Sequence, residues 1–440
     1  MWPGRLESGR AELVGIIKIV TYPYLQGAMM DFYQNGIITT LHNLVDRSIE
    51  ALEQDLLKFS KTRPMGLILP SLYSELETPA LATIVDELKH VPYLEEVVIG
   101  LDRADEDQYR HALEYFSVLP QNVKVIWNDG PRMKAIHRKL VSEGIAPEAP
   151  GKGRNVWYMI GYTLGSARVQ SVALHDCDIV TYDRSLLARL IYPVANPQFN
   201  YAFAKGFYTR IANQTMNGRV TRLLVTPLIR ALKKTAGEKH GRAKAFLDYM
   251  DSYRYPLAGE FAFRTGVISD LRIPSDWGLE IGVLSEVKRN ISSNRICQVD
   301  IADIYDHKHQ DLSADDAEAG LSKMSIDISK AFFRKLAAEG VVFSQEGFRT
   351  LKATYFRIAL DLIESYRNDA IMNGLGLDIH KEETAVELFS ENIMIAGNHF
   401  LDAPMETPFI PSWNRITSAF PDILQEITEA VELDMKEYKS

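Results

Sequence analysis

The sequence predicts an α/β protein built on a parallel sheet and followed by an all-helical C-terminal region, and three observations support this prediction. Short apolar runs alternate with helical segments between about residues 60 and 310. Beyond residue 310 the alternation stops, and apolar residues recur at helical spacing. The length of 440 residues exceeds one ordinary core and suits two domains, or one large domain with appendages.

The first elements of the α/β part can be predicted in order. A helix is expected around residues 38–60, and “GLILPSL” (66–72) predicts a buried strand. “TPALATIVDELKH” then predicts a helix, with Thr78 as its N-cap and Pro79 at its first position. An N-terminal helical extension, residues 1–60, would precede the sheet.

Two further strands follow, “EEVVIGLD” (95–102) and “NVKVIWND” (122–129), separated by the helical segment “DQYRHALEYFSVL”. Parallel sheets of this kind bind ligands at the carboxyl ends of their strands. A nucleotide is therefore expected near residues 70–75 and near Asp102.

The C-terminal part shows three apolar stripes at helical spacing. They consist of Leu321, Met324, Ile328, Ala331 and Phe332; of Leu351, Tyr355, Ile358, Leu362 and Tyr366; and of Ile423, Ile427 and Val431. Such stripes more often form an internal core than a partner surface. The polar segment 309–320 is the best boundary, which gives an α/β domain at 61–310 and a helical region at 311–440.

Composition and charge narrow the functional classes. The chain is 46% hydrophobic and 24% charged, as globular proteins are. Its formal net charge of -9 disfavours broad attraction to nucleic acid or anionic membranes, so neither partner is expected. Two cysteines, Cys177 and Cys297, provide neither a disulfide framework nor a zinc cluster, and they favour a cytoplasmic setting.

Asp176 and Asp178 close the apolar segment “VQSVAL”, where a parallel sheet would present its ligands. Carboxylates are suitable ligands for Mg²⁺ or Mn²⁺, which are commonly shared with substrate phosphates. The acidic run at 105–107 has the same spacing but lies in a charged stretch, where a solvated surface is the simpler interpretation. Position alone leaves a metal site and an acidic turn equally open.

Three other segments carry candidate functional side chains. Lys152 lies between two glycines before a helix, where it is either a solvated lysine or a cation for a nucleotide or sugar. His307 and His309 follow “QVDIADIY” and are candidates for a further metal ligand. In “NGRVTRLLVTPLIRALKK”, Arg219 and Thr221 offer an anion site at a helix start, against the alternative of a solvated basic face.

Taken in order, these motifs resemble the retaining glucosyl-3-phosphoglycerate synthases, over about residues 65–310. The resemblance rests on “LPSL”, “GKG”, “DCD”, “NGRVTRLLVTPLI”, “PLAGEFAFR”, “WGLEIGVL” and “DHKHQ”. It implies the glycosyltransferase-A fold, a Rossmann-like nucleotide-diphospho-sugar transferase domain. With that order, the metal interpretation of Asp176 and Asp178 becomes the favoured one.

The resemblance also implies roles for individual residues. For the donor, it implies contacts from Pro70, Leu72, Lys152, Asp176 and Leu257. The family usually has a glutamate two residues after Leu72, where this chain has Ser74, so the neighbouring Glu75 is the candidate here. Asp102 is a further donor candidate because it lies at the predicted end of a strand. The acceptor would be bound by Gly218, Arg219, Val220 and Thr221. Catalytic roles fall to Asp178, Glu280 and Glu260, and metal ligation to Asp178, Asp176, His307 and His309.

The implied activity is transfer of glucose from UDP- or GDP-glucose to the 2-hydroxyl of 3-phosphoglycerate, assisted by Mg²⁺ or Mn²⁺. The product would be a precursor of the compatible solute glucosylglycerate, and the enzyme a homodimer. A related alternative is a mannosylglycerate-type synthase that uses GDP-mannose with glycerate or 3-phosphoglycerate. An alternative of another class is a non-catalytic scaffold that binds nucleotide sugars.

Overall fold

The computed structural model of the chain describes residues 34, 36–45, 47–148, 150–236, 240–275, 278–306, 320–404 and 409–439. The strands are β1 (Thr39–Leu41), β2 (Met65–Leu72), β3 (Leu94–Asp102), β4 (Asn122–Trp127), β5 (Ser171–Leu174), β6 (Phe203–Tyr208), β7 (Ile211–Ala212), β8 (Thr215–Met216), β9 (Phe261–Arg264), β10 (Ile273–Pro274), β11 (Ile296–Ala302) and β12 (Phe409–Ile410). The helices are α1 (Ile49–Ser60), α2 (Pro79–Leu88), α3 (Glu106–Phe116), α4 (Pro131–Ser142), α5 (Lys152–Ser166), α6 (Arg184–Ala195), α7 (Thr226–Thr235), α8 (Gly241–Asp251), α9 (Thr265–Ile268), α10 (Leu279–Asn290), α11 (Gly320–Ala338), α12 (Gln345–Met372), α13 (Ile379–Asp402), α14 (Trp413–Ala419) and α15 (Ile423–Tyr438).

Eight strands form one sheet in the order β1-β11-β6-β9-β5-β2-β3-β4. All neighbouring pairs in it are parallel, except that β9 runs antiparallel to both β5 and β6. The predicted parallel α/β sheet is therefore confirmed, with one inserted antiparallel strand. Because of that reversal, the start of β9 lies at the same edge of the sheet as the end of β5.

The strands and helices predicted between residues 66 and 129 are confirmed as β2, α2, β3, α3 and β4. Their apolar runs suit strands that are buried on both faces by helical crossovers. The predicted cap of α2 is present, since the Thr78 hydroxyl accepts a hydrogen bond from the Leu81 N–H at 3.4 Å. The acidic run at 105–107 is exposed, and Asp105 caps α3 there.

The predicted helix over 38–60 is wrong in its first part. Residues Thr39–Leu41 form β1, which pairs in parallel with β11 at the edge of the sheet. The side chain of Thr40 is buried there and accepts a hydrogen bond from the Gln298 amide at 2.9 Å. The helix itself begins at Ile49, after the Ser48 N-cap. Pairing with a distant strand outweighed the local helical pattern.

Apolar side chains cover both faces of the sheet. In β2, Leu67 and Leu69 belong to the cluster packed against α1, α2, α3 and α6. Between them, Ile68 belongs to the cluster on the other face, with α5, α7, α8, α10 and the C-terminal helices. This alternation follows from the two-residue period of a strand.

The C-terminal helices pack on the sheet domain through that second cluster. Members of all three predicted stripes are buried in it, among them Ile328, Tyr355 and Ile423, so the internal-core prediction is confirmed. Trp413 of α14 stacks on Trp157 of α5 with ring centroids 4.2 Å apart. Each indole also donates a hydrogen bond to a backbone carbonyl across this contact, at 3.0 Å.

The proposed division at residues 60 and 310 stays a prediction. Residues 309 and 310 of the boundary segment, and its continuation to 319, lie outside the described residues. Among the residues that are described, every helix is too short or too polar to serve as a membrane span.

Candidate functional site

The carboxyl ends of β2, β3 and β5 lie side by side and carry most of the predicted donor residues. Leu72 pairs with Asp102 in adjacent strands, and Pro70 lies two residues before Leu72. Asp176 follows β5, which flanks β2 on its other side. Glu75 lies in the 3-10 turn Tyr73–Glu77 directly after β2. The fold therefore brings these separate sequence segments to one edge.

The two aspartates after β5 are partly exposed, whereas Cys177 between them is buried in the core. This alternation turns both carboxylates away from the apolar cluster that contains Cys177. Asp176 also lies against the loop before β9, because a Cβ atom added at Gly259 would lie only 2.4 Å from Asp176 Oδ2. A side chain at position 259 would collide with that carboxylate, so a glycine is required at this close approach.

Lys152 links two of the predicted acidic residues. Its Nζ lies 2.6 Å from Asp176 Oδ1 and 3.6 Å from Glu280 Oε1, and its side chain is 37% exposed. Loss of hydration alone would lower the pKa of Lys152, but the charges of Asp176 and Glu280 outweigh it and raise that pKa. The lysine is thus held as a cation between carboxylates from the end of β5 and the start of α10.

Glu260 is fully buried next to a stack of tyrosine rings. Its Oε1 accepts a hydrogen bond from the Tyr305 hydroxyl at 2.6 Å. The Tyr305 ring stacks on Tyr208 with centroids 3.6 Å apart, and Tyr208 lies 4.8 Å from the Tyr255 ring. A Cβ at Gly218 would lie 3.2 Å from the Tyr255 hydroxyl, so the stack reaches the predicted acceptor loop. Its three tyrosines were not predicted from the sequence.

The four predicted acceptor residues form the entry to a π-helical turn, Val220–Val225. Gly218 has a φ of +76°, a conformation that favours glycine. The Thr221 hydroxyl is buried and has no hydrogen-bond partner among the described residues. Arg219 is 32% exposed and forms an ion pair with Glu382 of α13 at 3.1 Å. A residue of the C-terminal helices therefore contacts the predicted acceptor site.

The predicted metal ligands are described only in part. Asp176 and Asp178 provide carboxylate oxygens, which are suitable ligands for a hard cation. His307 and His309 lie outside the described residues. In the described ranges, no group of three or more His, Cys, Asp or Glu side chains is arranged to hold a metal ion.

Asp102 is a buried carboxyl group at the end of β3. Its Oδ1 accepts a hydrogen bond from Asn128 Nδ2 at 2.8 Å, and its exposed fraction is 6%. Burial raises the pKa of Asp102 from 3.8 to about 6, although the hydrogen bond from Asn128 opposes this. The protonated form of Asp102 therefore persists to a higher pH in the folded protein than in the unfolded chain.

We expect Asp102→Asn to remove a pH-dependent part of the free energy of unfolding. Because the pKa is raised on folding, the contribution of Asp102 is complete below about pH 4 and is lost as the pH rises through about 6. The free energy of unfolding of the variant, measured relative to that of the wild type, should increase by about 1–3 kcal/mol as the pH rises from 4 to 7. Urea unfolding at several pH values measures this, and a pH-independent difference would contradict it.

Lys205 is a candidate functional residue that sequence reasoning missed. Its side chain is buried in β6, and its ammonium group donates a hydrogen bond to the carbonyl oxygen of Ala258. Burial lowers the pKa of Lys205 to about 8, while Glu280 and Glu260 oppose that shift. This lysine therefore stabilises the 257–260 loop through its hydrogen bond to the Ala258 carbonyl. The signal was present as a single charge inside the apolar run “YAFAKGFY”.

Asp176 follows β5 of a mostly parallel sheet, and Lys152 and Glu280 approach it from the starts of α5 and α10. This arrangement agrees with the predicted fold, an α/β glycosyltransferase of the glycosyltransferase-A class. Over 406 residues, the chain is 47% identical to the glucosyl-3-phosphoglycerate synthase of Persephonella marina, covering 92% of this chain and 99% of that protein. The enzyme of the same name from Methanococcoides burtonii is 39% identical over 414 residues, covering 93% and 99%. The chain therefore belongs to the glucosyl-3-phosphoglycerate synthase family, and the predicted family is confirmed.

Solved structures show a weaker likeness. Glucosyl-3-phosphoglycerate synthase of Mycobacterium tuberculosis with phosphoglyceric acid has a TM-score of 0.49 and 20% identity, covering 70% of this chain and 90% of that chain. Mannosyl-3-phosphoglycerate synthase of Rubrobacter xylanophilus has a TM-score of 0.48 and 21% identity, covering 66% and 78%. A scan against protein-family models found no match.

Proposed function

We propose that the protein transfers glucose from a nucleotide-diphosphate glucose, UDP- or GDP-glucose, to the 2-hydroxyl of 3-phosphoglycerate with retention of configuration. The observation that carries this proposal is the cluster of Lys152, Asp176 and Glu280 beside the end of β5. Its supporting context is membership of the glucosyl-3-phosphoglycerate synthase family. The product, glucosyl-3-phosphoglycerate, would serve as a precursor of glucosylglycerate.

On the donor side, Pro70, Leu72 and Asp102 would border the nucleoside, with Glu75 in the following turn. Their common position at the ends of β2 and β3 supports this assignment. Lys152 would provide the cation for the donor diphosphate.

Asp176 and Asp178 would hold Mg²⁺ or Mn²⁺, with His307 as the additional ligand and His309 as the alternative. The backbone N–H of Asp306, which precedes His307, donates a hydrogen bond to the Thr181 hydroxyl at 3.0 Å. Asp306, the residue before His307, thus contacts the loop that follows the two aspartates. When bound, the metal would stabilise negative charge on the departing diphosphate.

On the acceptor side, Arg219 would bind the phosphate or carboxylate of 3-phosphoglycerate, together with Gly218, Val220 and Thr221. A guanidinium group binds such anions through two parallel hydrogen bonds and so fixes their orientation. The buried Thr221 hydroxyl, which lacks a partner among the described residues, supports a polar ligand there.

The reaction needs the 2-hydroxyl oxygen of the acceptor to form a bond to the anomeric carbon as the bond to the diphosphate breaks. Positioning by the Leu257–Glu260 loop would lower the entropic part of this barrier. Glu280 would face the sugar, and the buried Glu260 would hold the loop through Tyr305. We assign no covalent nucleophile. Retention would follow from attack on the face that the diphosphate leaves, with the hydroxyl proton passing to the leaving phosphate oxygen.

A donor-by-acceptor activity matrix tests the proposed function. UDP-glucose, GDP-glucose and GDP-mannose are each combined with 3-phosphoglycerate and with glycerate, in the presence of Mg²⁺ or Mn²⁺. We expect glucose transfer to 3-phosphoglycerate. Turnover with GDP-mannose but with neither glucose donor would favour the mannosylglycerate-type synthase. Binding of a nucleotide sugar without any transfer would favour a scaffold.

The cytoplasmic localisation and the homodimeric state of the protein stay predictions.

A further inference from the structure

Glu382 of α13 connects the C-terminal helices to two arginines of the predicted acceptor segment. Its Oε1 accepts a hydrogen bond from Arg219 Nε at 3.1 Å, and its Oε2 accepts one from Arg222 Nη1 at 2.6 Å. The glutamate side chain is only 2% exposed. A buried carboxylate with two cationic partners holds both of them in defined orientations.

The two arginines differ in how their donors are used. Arg222 also donates from Nε to the carbonyl oxygen of Asn217 at 2.8 Å, and its guanidinium lies 4.9 Å from the Tyr366 ring centroid. Arg219 is more exposed, and within the described part of the chain its hydrogen bonds and ion pairs involve only Nε and Glu382. Its two Nη groups are therefore available to an anion, because a guanidinium carries five N–H donors.

Other contacts from the same helices hold this segment. The Tyr355 hydroxyl of α12 donates a hydrogen bond to the carbonyl oxygen of Leu223 at 2.6 Å. Before α13, the Gly376 N–H donates to the carbonyl oxygen of Gln214 at 2.7 Å, and its own carbonyl accepts from the Met216 N–H at 3.2 Å. The segment is thus held on both sides of Arg219, while Glu382 sets the side chain itself.

We propose that Glu382 is a positioning residue that orients Arg219 for the phosphate or carboxylate of the acceptor. This inference rests on the proposed function and extends it to the C-terminal helices. With Glu382 ionised, the two arginines and one carboxylate carry a net charge of +1, so the site still attracts an anion. The opposite arrangement, in which Glu382 competes with the acceptor for Arg219, predicts the opposite change in KM.

The test is Glu382→Gln in the full-length protein with its metal. The variant keeps the shape of the side chain but removes its charge. We expect the KM for 3-phosphoglycerate to rise by roughly 10- to 100-fold because Arg219 loses its fixed orientation. The KM for the nucleotide-diphosphate glucose should change by less than about twofold, because most of the predicted donor residues lie at the ends of β2, β3 and β5, away from Glu382.

Asp434→Asn is the matched control. Asp434 is also a buried carboxylate of a C-terminal helix, and it pairs with an arginine, Arg132, at 2.5 Å. It lies in α15, outside the acceptor contacts described above, so neither KM should change by more than about twofold. Circular dichroism and thermal unfolding establish that both variants fold.

A double-mutant cycle with Arg219→Ala separates positioning from a general loss of stability. If Glu382 acts through Arg219, Glu382→Gln should raise the acceptor KM no further in the Arg219→Ala background. Equal effects on both substrates, an additive effect in the cycle, or a lower acceptor KM would each overturn the inference. An inactive wild-type protein would instead refute the proposed function, which keeps the two failures distinct.

Discussion

Replacement of Asp178 by alanine is expected to lower kcat for glucose transfer by about 1000-fold, the scale seen when a group that stabilises transition-state charge is lost. The carboxylate is proposed to hold the metal beside the departing diphosphate, so its loss should act on the chemical step. Steady-state kinetics with UDP-glucose and 3-phosphoglycerate measure the effect. Removal of metal by EDTA should abolish transfer in the wild type, and added Mg²⁺ or Mn²⁺ should restore it.

Asp107→Ala is the control for that substitution. Asp107 belongs to an acidic run of the same spacing, but it is exposed at the start of α3. Its removal should leave kcat within about twofold of the wild type, as is usual at exposed surface positions. Full activity of the Asp178 variant, or transfer that persists in EDTA, would show that the metal assignment is wrong.

The second large effect is expected for Lys152→Met. Methionine preserves much of the side-chain volume but leaves the carboxylates of Asp176 and Glu280 without the cation that lies 2.6 and 3.6 Å from them. Mutual repulsion of these carboxylates, together with loss of the contact between Lys152 and the sugar nucleotide, should lower kcat/KM for the nucleotide-diphosphate glucose by about 100-fold. Initial rates at saturating 3-phosphoglycerate measure the change.

Lys89→Met provides a matched comparison. Lys89 has a similar exposed fraction, 38%, and is paired with Asp86 at 2.9 Å, but it lies at the end of α2. Its replacement should leave kcat/KM within about twofold, because exposed ion pairs of this kind contribute little. Equal losses in both variants would indicate a general effect of charge and would contradict a specific role for Lys152.

Much of the α/β part of the fold could be predicted because its signals are local. Strands buried on both faces are nearly continuous apolar runs, so β2, β3 and β4 were recognisable from short segments. The rule that ligands gather at the carboxyl ends of parallel strands then selected Asp102 and Asp176. The structure places both at that edge, which supports their predicted roles without testing them.

The features that were missed depend on contacts between distant parts of the chain. The edge strand Thr39–Leu41 forms only because β11 provides its partner. Glu382 lies in a polar helix start whose sequence gives no sign of Arg219, 163 residues earlier. Lys205 could have been noticed as a charge in an apolar strand, but its contact with the 257–260 loop required the antiparallel strand β9. Local pattern does not encode such pairings.

The most direct measurement of the central claim is the structure of the product formed from UDP-glucose labelled with ¹³C at the anomeric carbon. The purified protein is incubated with this donor, 3-phosphoglycerate and metal, and the product is examined by NMR. We expect a glucosyl residue on the 2-hydroxyl of 3-phosphoglycerate, with the α configuration of the donor retained. A β-linked product, or release of free glucose without transfer, would contradict it.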